Sequence, residues 1–481
     1  MDGMRFRIGL VGFVCYLHAL TATAQGPLAP SAEALAVQDA VVAAIERCEQ
    51  SVVAIQGTRM PEATRLVVPP DQFAPLRPGD PGDGLIEHLQ GEFGTGVILD
   101  ASGLILTHYE VIRGVDTLEV TTAQRRSYPA RIVGADERSG LAVLSIDASG
   151  LPAVRLGDAK QLRKGQFVVA LGNPYGIAAD GQASASFGIV ANVWRKSTVA
   201  VRREAAASLG ELGWLIQTDA KLNLGTSGGA LVNLRGELVG LTTSVAATAG
   251  YDQAAGYAIP IDDAFRRIVD TLRQGREVEY GLLGVVLYGD RVSWLGDGSR
   301  GARVRDVMPG APADRAGLKA GDVITAVADA PIHSSDTLML AVSKQPPLAT
   351  TPIRYVRDGR EQSARVELSK AQPHGEQIVT ALVRKWRGLR VDYATAVEGY
   401  ATAVSQRGTD VRGCVAIRHV EPHSAAWKAG LRAGTFISHV SYRQVRSPDE
   451  FYEAVERQSG DVMLRTPLPQ NESQQVTVKE S

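Results

Sequence analysis

The sequence predicts a mostly β protein in which a barrel-like all-β domain is followed by two smaller α+β modules. The chain has 481 residues, which is long for a single hydrophobic core, so two to four domains are expected. Short β-rich runs alternate with glycine turns from Gly94 to about Thr243, a spacing typical of all-β barrels. The second half of the chain contains an internal repeat, which predicts two related modules.

Residues 1–24 have the pattern of a secretory signal. Arg5 and Arg7 precede an apolar run over 8–20 that is short for a transmembrane helix. A small-x-small site at 22–24 would allow cleavage before Gln25, and an uncleaved anchor is the alternative. The N-terminus therefore predicts a periplasmic or secreted protein.

Regular elements are predicted in order along the first half. An amphipathic helix over 34–49 and a strand over 51–57 precede a proline-rich stretch over 61–81, which predicts a long surface loop. A later strand over 256–261 leads to Asp262, which is expected to cap a helix over 264–272. The predicted barrel strands are Thr95–Leu99, Leu104–Thr107, Thr117–Thr121, Ala130–Val133, Leu141–Ile146, Phe167–Leu171, Gly188–Val193, Leu231–Val232 and Leu238–Thr243.

The internal repeat aligns Val307–Gly321 with Val420–Gly434 without a gap. The match continues to Val327 and Val440. Each copy has a short helix between glycine turns, followed by an apolar strand. Chance similarity of that length is improbable, so we assign one module to residues 279–370 and a second to 385–468, with a polar linker around 373–377.

The composition excludes several classes of function. With 51 basic and 52 acidic residues and no basic block, nothing indicates a nucleic-acid partner. Beyond the signal the only cysteines are Cys48 and Cys414, which are too far apart in sequence to indicate a disulfide framework or a metal site. They are expected to be small buried apolar residues. No motif indicates a metal ion or an organic cofactor.

The most informative motif is Gly-Thr-Ser-Gly-Gly at 225–229. Glycines permit a tight turn that presents a serine and aims backbone N–H groups at the oxyanion of a tetrahedral intermediate. Ser227 is therefore the candidate nucleophile, and Gly225, Thr226 and Ser227 are the candidate oxyanion hole. Such a serine needs a base beside it.

The residues that frame this loop, 217–220 and 231–240, make the chain resemble the HtrA (Deg) family of serine proteases that carry PDZ domains. The repeat likewise resembles the P-x-S-P-A-x-x-A-G-L-x-x-G-D-x-I signature of bacterial PDZ domains. The resemblance implies a trypsin-like double β-barrel over residues 33–275, with residues 279–370 and 385–468 as two PDZ domains. It covers almost the whole chain after the signal.

PDZ domains bind an extended peptide as an added strand and hold its C-terminal carboxylate with backbone N–H groups. In the first module the resemblance places the carboxylate-binding loop at 280–285, with a helix beside it. The candidate peptide-binding residues are Leu282, Leu283, Gly284, Val285, Leu338 and Val342, with Ala341 on the same helix. In the second module residues 386–391 hold the equivalent place, and Arg390 stands where the first module has Gly284. The alternative to peptide binding is that the second module has a PDZ fold that serves only as a packing or spacer unit.

The chain departs from the family pattern at the catalytic base. The family motif G-x-I-L-T-N-x-H-V reads Gly-Leu-Ile-Leu-Thr-His-Tyr-Glu-Val at 103–111, so Glu110 replaces the histidine and His108 lies two residues early. The motif that supplies the aspartate has Gly140 in its place, and Asp136 matches an upstream position. His88 is the other histidine of the protease region.

Three interpretations of these replacements remain open. In the favoured one the triad is lost and only Ser227 survives, which leaves roughly 10³–10⁴-fold catalysis over water. In the second, His108 moves into place and forms a dyad with Ser227. In the third, Glu110 is the base, although a carboxylate with a pKa of about 4 is a weak base at neutral pH. The favoured interpretation predicts a binding protein, and the second predicts an active serine endopeptidase.

The resemblance also implies partners. PDZ domains imply peptides or unfolded proteins as ligands, with C-terminal segments bound by the first module. HtrA proteases assemble as trimers, which implies either a homotrimer or a mixed trimer with an active paralogue. In the mixed trimer an inactive chain would have a regulatory role.

Overall fold

The computed structural model describes residues 31–59, 93–173, 180–195, 215–243, 256–288, 293–294, 300–405, 411, 413–468 and 472–480. The predicted signal, the proline-rich stretch and His88 lie outside these residues. Within them no helix is long and apolar enough to span a membrane.

The described residues form α-helices, short 3₁₀ turns and strands, which we number in chain order. The helices are α1 (Ala32–Cys48), α2 (Tyr109–Ile112), α3 (Asp263–Arg273), α4 (Pro312–Arg315), α5 (Ser335–Ser343), α6 (Tyr400–Ser405), α7 (Ala425–Lys428) and α8 (Pro448–Glu456), with 3₁₀ turns at Glu49–Ser51, Ala159–Gln161 and Ala394–Ala396. The strands of the first half are β1 (Val52–Thr58), β2 (Phe93–Ile98), β3 (Leu104–His108), β4 (Thr117–Thr121), β5 (Ser127–Asp136), β6 (Leu141–Ile146), β7 (Arg155–Leu156), β8 (Phe167–Gly172), β9 (Ser184–Arg195), β10 (Leu215–Thr218), β11 (Ala230–Asn233), β12 (Glu237–Thr243) and β13 (Gly256–Pro260). Those of the second half are β14 (Gly281–Leu282), β15 (Val285–Leu287), β16 (Ser293–Trp294), β17 (Arg300–Val307), β18 (Val323–Val327), β19 (Ala330–Pro331), β20 (Thr350–Arg357), β21 (Arg360–Glu367), β22 (Ser369–Lys370), β23 (Gln377–Val379), β24 (Leu389–Tyr393), β25 (Val415–Val420), β26 (Phe436–Ile437), β27 (His439–Val440), β28 (Arg443–Gln444), β29 (Val462–Pro467) and β30 (Ser473–Val478).

The first half of the chain forms two closed barrels. Strands β1, β2, β3, β6, β5 and β4 pair in a ring, which closes because β5 pairs with both β4 and β6. Strands β8, β9, β10, β13, β12 and β11 form a second ring, which closes through β11. Alternate side chains of each strand fill the barrel interiors, as in β1 with Val53 and Ile55 and in β11 with Leu231. A third cluster joins the two barrels with α1 and α3.

The helices and strands predicted for this half are present, but the prediction missed β7 and β10 and made β5 and β9 too short. The helix predicted over 34–49 is α1 and the strand over 51–57 is β1, each within two residues of its predicted bounds. Asp262 caps α3 as expected, because its Oδ1 accepts a hydrogen bond from the N–H of Phe265 at 2.9 Å. Cys48 and Cys414 are both buried and not disulfide-bonded, and burial raises the pKa of Cys48 to about 12.

The second half forms two related modules. In the first, strands β15, β17, β18, β20 and β21 form a sheet, and α5 packs on its core. In the second, a three-stranded sheet (β24, β25, β26) and a four-stranded sheet (β28, β27, β29, β30) enclose one core with α8. Both β15 and β24 are the outermost strands of their sheets, so each has one edge without a neighbouring strand among the described residues.

The equivalence of Arg390 with Gly284, expected from the sequence, is wrong by two residues. The carbonyl of Gly284 accepts a bond from Met308 N–H at 2.9 Å, and the carbonyl of Gly388 accepts the corresponding bond from Glu421 N–H at 2.8 Å. Both glycines have positive φ, +79° in each case. Gly388 is therefore the counterpart of Gly284, and Arg390 lies in the strand that follows the loop.

The linker between the modules is not the simple polar spacer that its composition predicts. Residues Gln377–Val379 form β23, which pairs with the edge of β5 and extends the sheet of the first barrel. The neighbouring Glu376 exchanges backbone and side-chain bonds with Glu137 at 2.9 and 2.7 Å. An edge strand has unpaired N–H and C=O groups, and the linker satisfies them on β5. The sequence gives no sign of this pairing because the two strands are far apart in the chain.

Candidate active site

The nucleophile loop forms a compact turn at the seam between the two barrels. Thr226 N–H and Oγ1 both donate to the carbonyl of Asn223, at 3.1 and 2.6 Å, and Gly229 N–H donates to the carbonyl of Thr226 at 3.0 Å. Gly225 and Gly228 have φ of +88° and +82°, values that side chains strongly disfavour. The sequence-predicted glycine turn is therefore present, and Ser227 at its tip is 8% exposed.

Contacts from both barrels hold this turn. The carbonyl of Thr95 in β2 accepts a hydrogen bond from Thr107 Oγ1 at 2.7 Å, and the N–H of Thr95 donates to the carbonyl of Ser227 at 2.9 Å. A Cβ at Gly228 would lie 2.2 Å from the carbonyl oxygen of Thr95, and one at Gly229 would lie 2.4 Å from that of Leu171 in β8. Only glycine allows this approach of the loop to both barrels.

One of the three candidate oxyanion donors is already bonded. The N–H of Thr226 donates to the carbonyl of Asn223 within the turn, so it is directed into the turn itself. Oxyanion stabilisation needs donors that point at the developing charge. The expectation that Thr226 contributes an N–H group to the oxyanion hole was therefore wrong. A cavity of about 200 Å³ lies beside the loop, lined by small and polar residues that include Ser184, Ser186 and Asn223.

His108 is buried at the end of β3, directly before α2. It is 1% exposed and caps α2, where its Nδ1 accepts the N–H of Glu110 at 3.3 Å. This bond assigns the ring proton to Nε2, which has no hydrogen-bond partner among the described residues. Burial lowers the pKa of His108 to about 4, so the ring is neutral at pH 7.

Glu110 lies in the first turn of α2 at the rim of the barrel. Its Oε1 is 3.6 Å from the guanidinium of Arg113 one turn later. Burial raises the pKa of Glu110, Arg113 opposes that rise, and the charge of Glu137 adds to it. The carboxyl group is thus paired with a cation on its own helix.

Gly140 and Asp136 form the turn that the family uses for its aspartate. Gly140 has φ of +70°, and its carbonyl accepts the N–H of Tyr109, at 2.8 Å, at the start of α2. Asp136 is fully buried, and its Oδ2 accepts bonds from Ser139 N–H at 2.8 Å and from the hydroxyl of Tyr280. Asp136 therefore connects the barrel to the segment that enters the first module.

Sequence reasoning missed the residues that link this turn to the rest of the chain. Tyr280 bonds Asp136, and the guanidinium of Arg138 lies 4.2 Å from the centre of the Tyr280 ring. The hydroxyl of Tyr109 donates to Glu376 of the linker at 2.7 Å. These partners are more than 130 residues apart in sequence, and no local pattern marks them.

The loop that the sequence predicts to bind a carboxylate in the first module has its carbonyl groups bonded within the module. The carbonyls of Leu283 and Gly284 accept bonds from Ala313 N–H and Met308 N–H, at 2.8 and 2.9 Å, so both face the body of the module. In a trans peptide the N–H lies opposite the carbonyl, so the N–H groups of Gly284 and Val285 face away from it. Leu282 and Val285 are half-buried, whereas Leu283, Leu338 and Val342 are buried in the core of the module.

The fold and the turn at Ser227 define the class of this protein, a trypsin-like peptidase domain followed by PDZ modules. The family model of the trypsin-like peptidase domain matches residues 94–241 of the sequence, and the family model of the PDZ domain matches residues 281–368. A probable periplasmic serine endoprotease DegP-like from Halomonas elongata is 30% identical over 399 residues, which cover 80% of this chain and 78% of the relative. The periplasmic pH-dependent serine endoprotease DegQ of Escherichia coli is 31% identical over 420 residues, 86% of this chain and 84% of the relative.

Solved structures agree with these relatives. The HtrA-type protease AlgW with a tripeptide is 28% identical, with a TM-score of 0.51, and the match covers 69% of this chain and 98% of that one. The chain belongs to the HtrA/DegP family of periplasmic serine proteases. The predicted fold class, a trypsin-like double β-barrel followed by PDZ modules, is confirmed.

Proposed function

We propose that this chain is a catalytically inactive HtrA protein that binds peptides or misfolded proteins. The first PDZ domain would hold their C-terminal segments, in a chaperone, scaffold or regulatory role. The observation that carries the proposal is the retained nucleophile turn at Ser227 together with the replacement of the family's base and acid. The family position of the histidine holds Glu110, and that of the aspartate holds Gly140. A serine hydroxyl without a base is a poor nucleophile at neutral pH.

The geometry of His108 argues against its use as a displaced base. A general base needs a free nitrogen lone pair directed at the serine proton. The one lone pair of the neutral His108 ring accepts the N–H of Glu110, and its Nε2 carries the proton. Moving the ring toward Ser227 would break the cap of α2 and expose a buried side chain. Both changes oppose the dyad.

Glu110 is also a weak candidate for the base. Burial raises the pKa of Glu110, but the cation of Arg113 stabilises the charged form and works against that rise. The ion pair with Arg113 would also have to break before the Glu110 carboxylate could accept the proton of Ser227. We therefore propose that Glu110 has a structural role in α2.

The first PDZ domain supports the binding part of the proposal. Its loop directs the N–H groups of Gly284 and Val285 away from the module, where a terminal carboxylate would lie. The adjoining β15 is an edge strand that can accept an added peptide strand. This arrangement suits C-terminal segments of peptides or unfolded proteins.

The alternative function is an active serine endopeptidase of periplasmic protein quality control. The intact turn at Ser227 and the names of the relatives, which are serine endoproteases, favour it. A fluorophosphonate probe separates the two functions. We expect Ser227 to remain unlabelled at pH 7.5 over one hour, whereas an active HtrA relative labelled in parallel reacts completely. Rapid stoichiometric labelling that is lost in Ser227→Ala would refute inactivity.

A second test uses the acid stability associated with His108. The pKa of His108 is about 4 in the folded protein and about 6.5 when unfolded, so the unfolded chain binds the extra proton between these values. Folding stability should therefore fall by about 3 kcal/mol as the pH drops from 6.5 to 4, and this contribution should be absent from His108→Asn, which retains a cap acceptor. Urea unfolding at several pH values measures both proteins. Equal pH dependence of the two would show that His108 is accessible to protons, as a working base must be.

The assembly is part of the same proposal. We propose a periplasmic or secreted trimer, formed either by this chain alone or by this chain with an active paralogue. Co-purification with an active homologue would support the mixed assembly and a regulatory role. A stable homotrimer without other subunits would contradict the mixed assembly.

A further inference from the structure

The two PDZ modules differ at one position of the helix beside the peptide groove. Helix α5 begins after the capping residue Ser334, and α8 begins after the capping residue Ser447. With the caps aligned, Leu338 corresponds to Phe451, and both are buried. The next residue is Met339 in the first module and Tyr452 in the second. The side chain of Met339 is 55% exposed, whereas that of Tyr452 is 5% exposed.

Tyr452 crosses the groove between α8 and β24. Its hydroxyl accepts the N–H of Val391 in β24 at 3.3 Å and donates to the carbonyl of Arg384 at 2.7 Å. The guanidinium of Arg384 lies 4.7 Å from the centre of the Tyr452 ring and bonds Glu456 of α8 at 2.8 Å. The tyrosine is thus held on both sides of the groove.

Three of the backbone donors that a bound peptide would need are already used in the second module. The N–H of Leu389 donates to the carbonyl of Trp386 at 2.8 Å. The N–H of Val391 donates to Tyr452, and that of Tyr393 donates to Oδ1 of Asp392 at 2.8 Å. A peptide added to β24 as a strand would have to displace these acceptors, because main-chain hydrogen bonds supply the affinity of this binding mode.

The first module has the opposite arrangement. Met339 has a thioether and no hydroxyl, so it cannot act as an acceptor and donor across the groove as Tyr452 does. Leu282, the counterpart of Trp386, pairs with Ser369 of β22 instead of folding back on the groove strand. Among the described residues, no strand therefore pairs with the outer edge of β15 beside the loop at 280–285.

We propose that Tyr452 occupies the peptide groove of the second PDZ module as an internal ligand, and that this helix position decides which module binds a C-terminal peptide. Met339 keeps the first groove open, and Tyr452 closes the second. The inference rests on the proposed function only for the peptide binding of the first module.

The test counts peptide sites on the full-length protein by isothermal titration calorimetry. The probe is a synthetic decapeptide that ends in Leu-Val with a free carboxylate, and the same peptide with a C-terminal amide is the control. We expect one site per chain in the wild type, two in Tyr452→Ala, and none in Met339→Tyr, which introduces the closing residue into the first groove.

The outcomes separate this inference from the proposed function. A wild type with no site and a Tyr452→Ala variant with one site would refute peptide binding by the first module while supporting closure of the second. Two sites in the wild type, or an unchanged number of sites in folded Tyr452→Ala, would overturn the inference. Unimpaired binding by Met339→Tyr would overturn the role of this position in the first module.

Hydrogen exchange tests the closure even if Tyr452→Ala fails to fold. The Tyr452→Phe variant keeps the ring but removes the acceptor for Val391 N–H. We expect the amide of Val391 to exchange at least tenfold faster in Tyr452→Phe than in the wild type, while the Met339→Leu control leaves it unchanged. Equal exchange of Val391 in Tyr452→Phe and in the wild type would overturn the proposed closure.

Discussion

The double variant Glu110→His, Gly140→Asp is expected to digest casein at a rate at least about 10³-fold above the wild-type background. The two substitutions restore the base and its orienting acid at the positions that the family uses. Removing members of a triad lowers the rate by several orders of magnitude, so restoring both should produce a comparable gain. Casein hydrolysis at pH 7.5 and labelling of Ser227 by a fluorophosphonate measure the effect.

The backbone around both positions is suited to these substitutions. The φ of +70° at Gly140 lies in the left-handed region, where aspartate is among the better tolerated side chains, at a cost of about 1 kcal/mol. The bond from Tyr109 N–H to the carbonyl of Gly140 is a main-chain bond and does not depend on the side chain. It holds the turn at 140 next to the helix that carries residue 110.

Single variants are the matched controls for this prediction. Glu110→His alone lacks the acid that orients its ring, and Gly140→Asp alone has no base to orient, so each should stay near background because triad members act as a unit. Adding Ser227→Ala to the double variant should abolish the activity. A folded double variant without activity would contradict the view that only the base and the acid are missing, and would place the defect in the donors at Gly225 and Ser227.

The turn at Ser227 also has a structural role that does not require catalysis. The N–H of Thr95 donates to the carbonyl of Ser227, and Thr95 Oγ1 donates to the carbonyl of Gly225 at 2.8 Å. Strand β2 of the first barrel is therefore hydrogen-bonded to a loop of the second barrel. Asn173 N–H adds a bond to Thr95 Oγ1 at 2.9 Å. Breaking these buried bonds would leave polar groups unsatisfied, which costs about 1–3 kcal/mol for each group. A protein can therefore keep this turn after losing its base.

Local patterns in the sequence were sufficient to predict a barrel-like all-β domain, the glycine turn and the module repeat. The helix cap at Asp262 and the turn at 225–229 depend on residues within a few positions of one another, and both are present. These local patterns could not predict how exposed to solvent each candidate site residue would be. His108 is buried, and Asp136 is bonded to Tyr280, more than 140 residues later.

The residue-by-residue alignment of the two modules shows the same limit of local sequence patterns. Sequence comparison of the carboxylate-binding loops placed Arg390 opposite Gly284, since neither loop contains a long motif. Hydrogen bonds from Met308 and Glu421 fix the true register at Gly388. Tyr452 could have been noticed as the aromatic counterpart of Met339, but its bond to Val391 depends on the packing of α8 against β24. Such contacts follow from tertiary structure and not from local pattern.

The variant Lys370→Met is expected to lower the free energy of unfolding by about 3–5 kcal/mol and to loosen the second module from the first half of the chain. Lys370 is 3% exposed, at the end of the first module. Its ammonium lies 2.9 Å from Glu277, 3.1 Å from Glu279 and 3.0 Å from Asp392, which belong to the segment after α3 and to β24. Urea unfolding followed by tryptophan fluorescence measures the loss.

The expected size follows from the charges that remain. Burial disfavours the charged form of Lys370, but the carboxylates of Asp392, Glu279 and Glu277 outweigh it and raise the pKa of the lysine. Burial would likewise raise the pKa of Glu277, and Lys370 together with Arg418 lowers it instead. Without Lys370, three carboxylates share a largely buried site in which Arg390 and Arg418 form the ion pairs that remain among the described residues. An uncompensated buried charge is far more costly than a missing surface pair.

The exposed pair of Lys385 and Glu421, 2.7 Å apart, supplies the matched control. Lys385→Met also removes a lysine that bonds a carboxylate, but both side chains are about half exposed, so a loss below about 1 kcal/mol is expected. The double variant Lys370→Met, Asp392→Asn should recover part of the loss of Lys370→Met, because it removes one of the stranded charges. If Lys370→Met and Lys385→Met lower stability equally, the charge cluster does not hold the second module in place. In that event the pairing of β23 with β5 would have to be the main attachment, and substitution of Ile378, whose side chain packs against the first barrel, would show the larger effect.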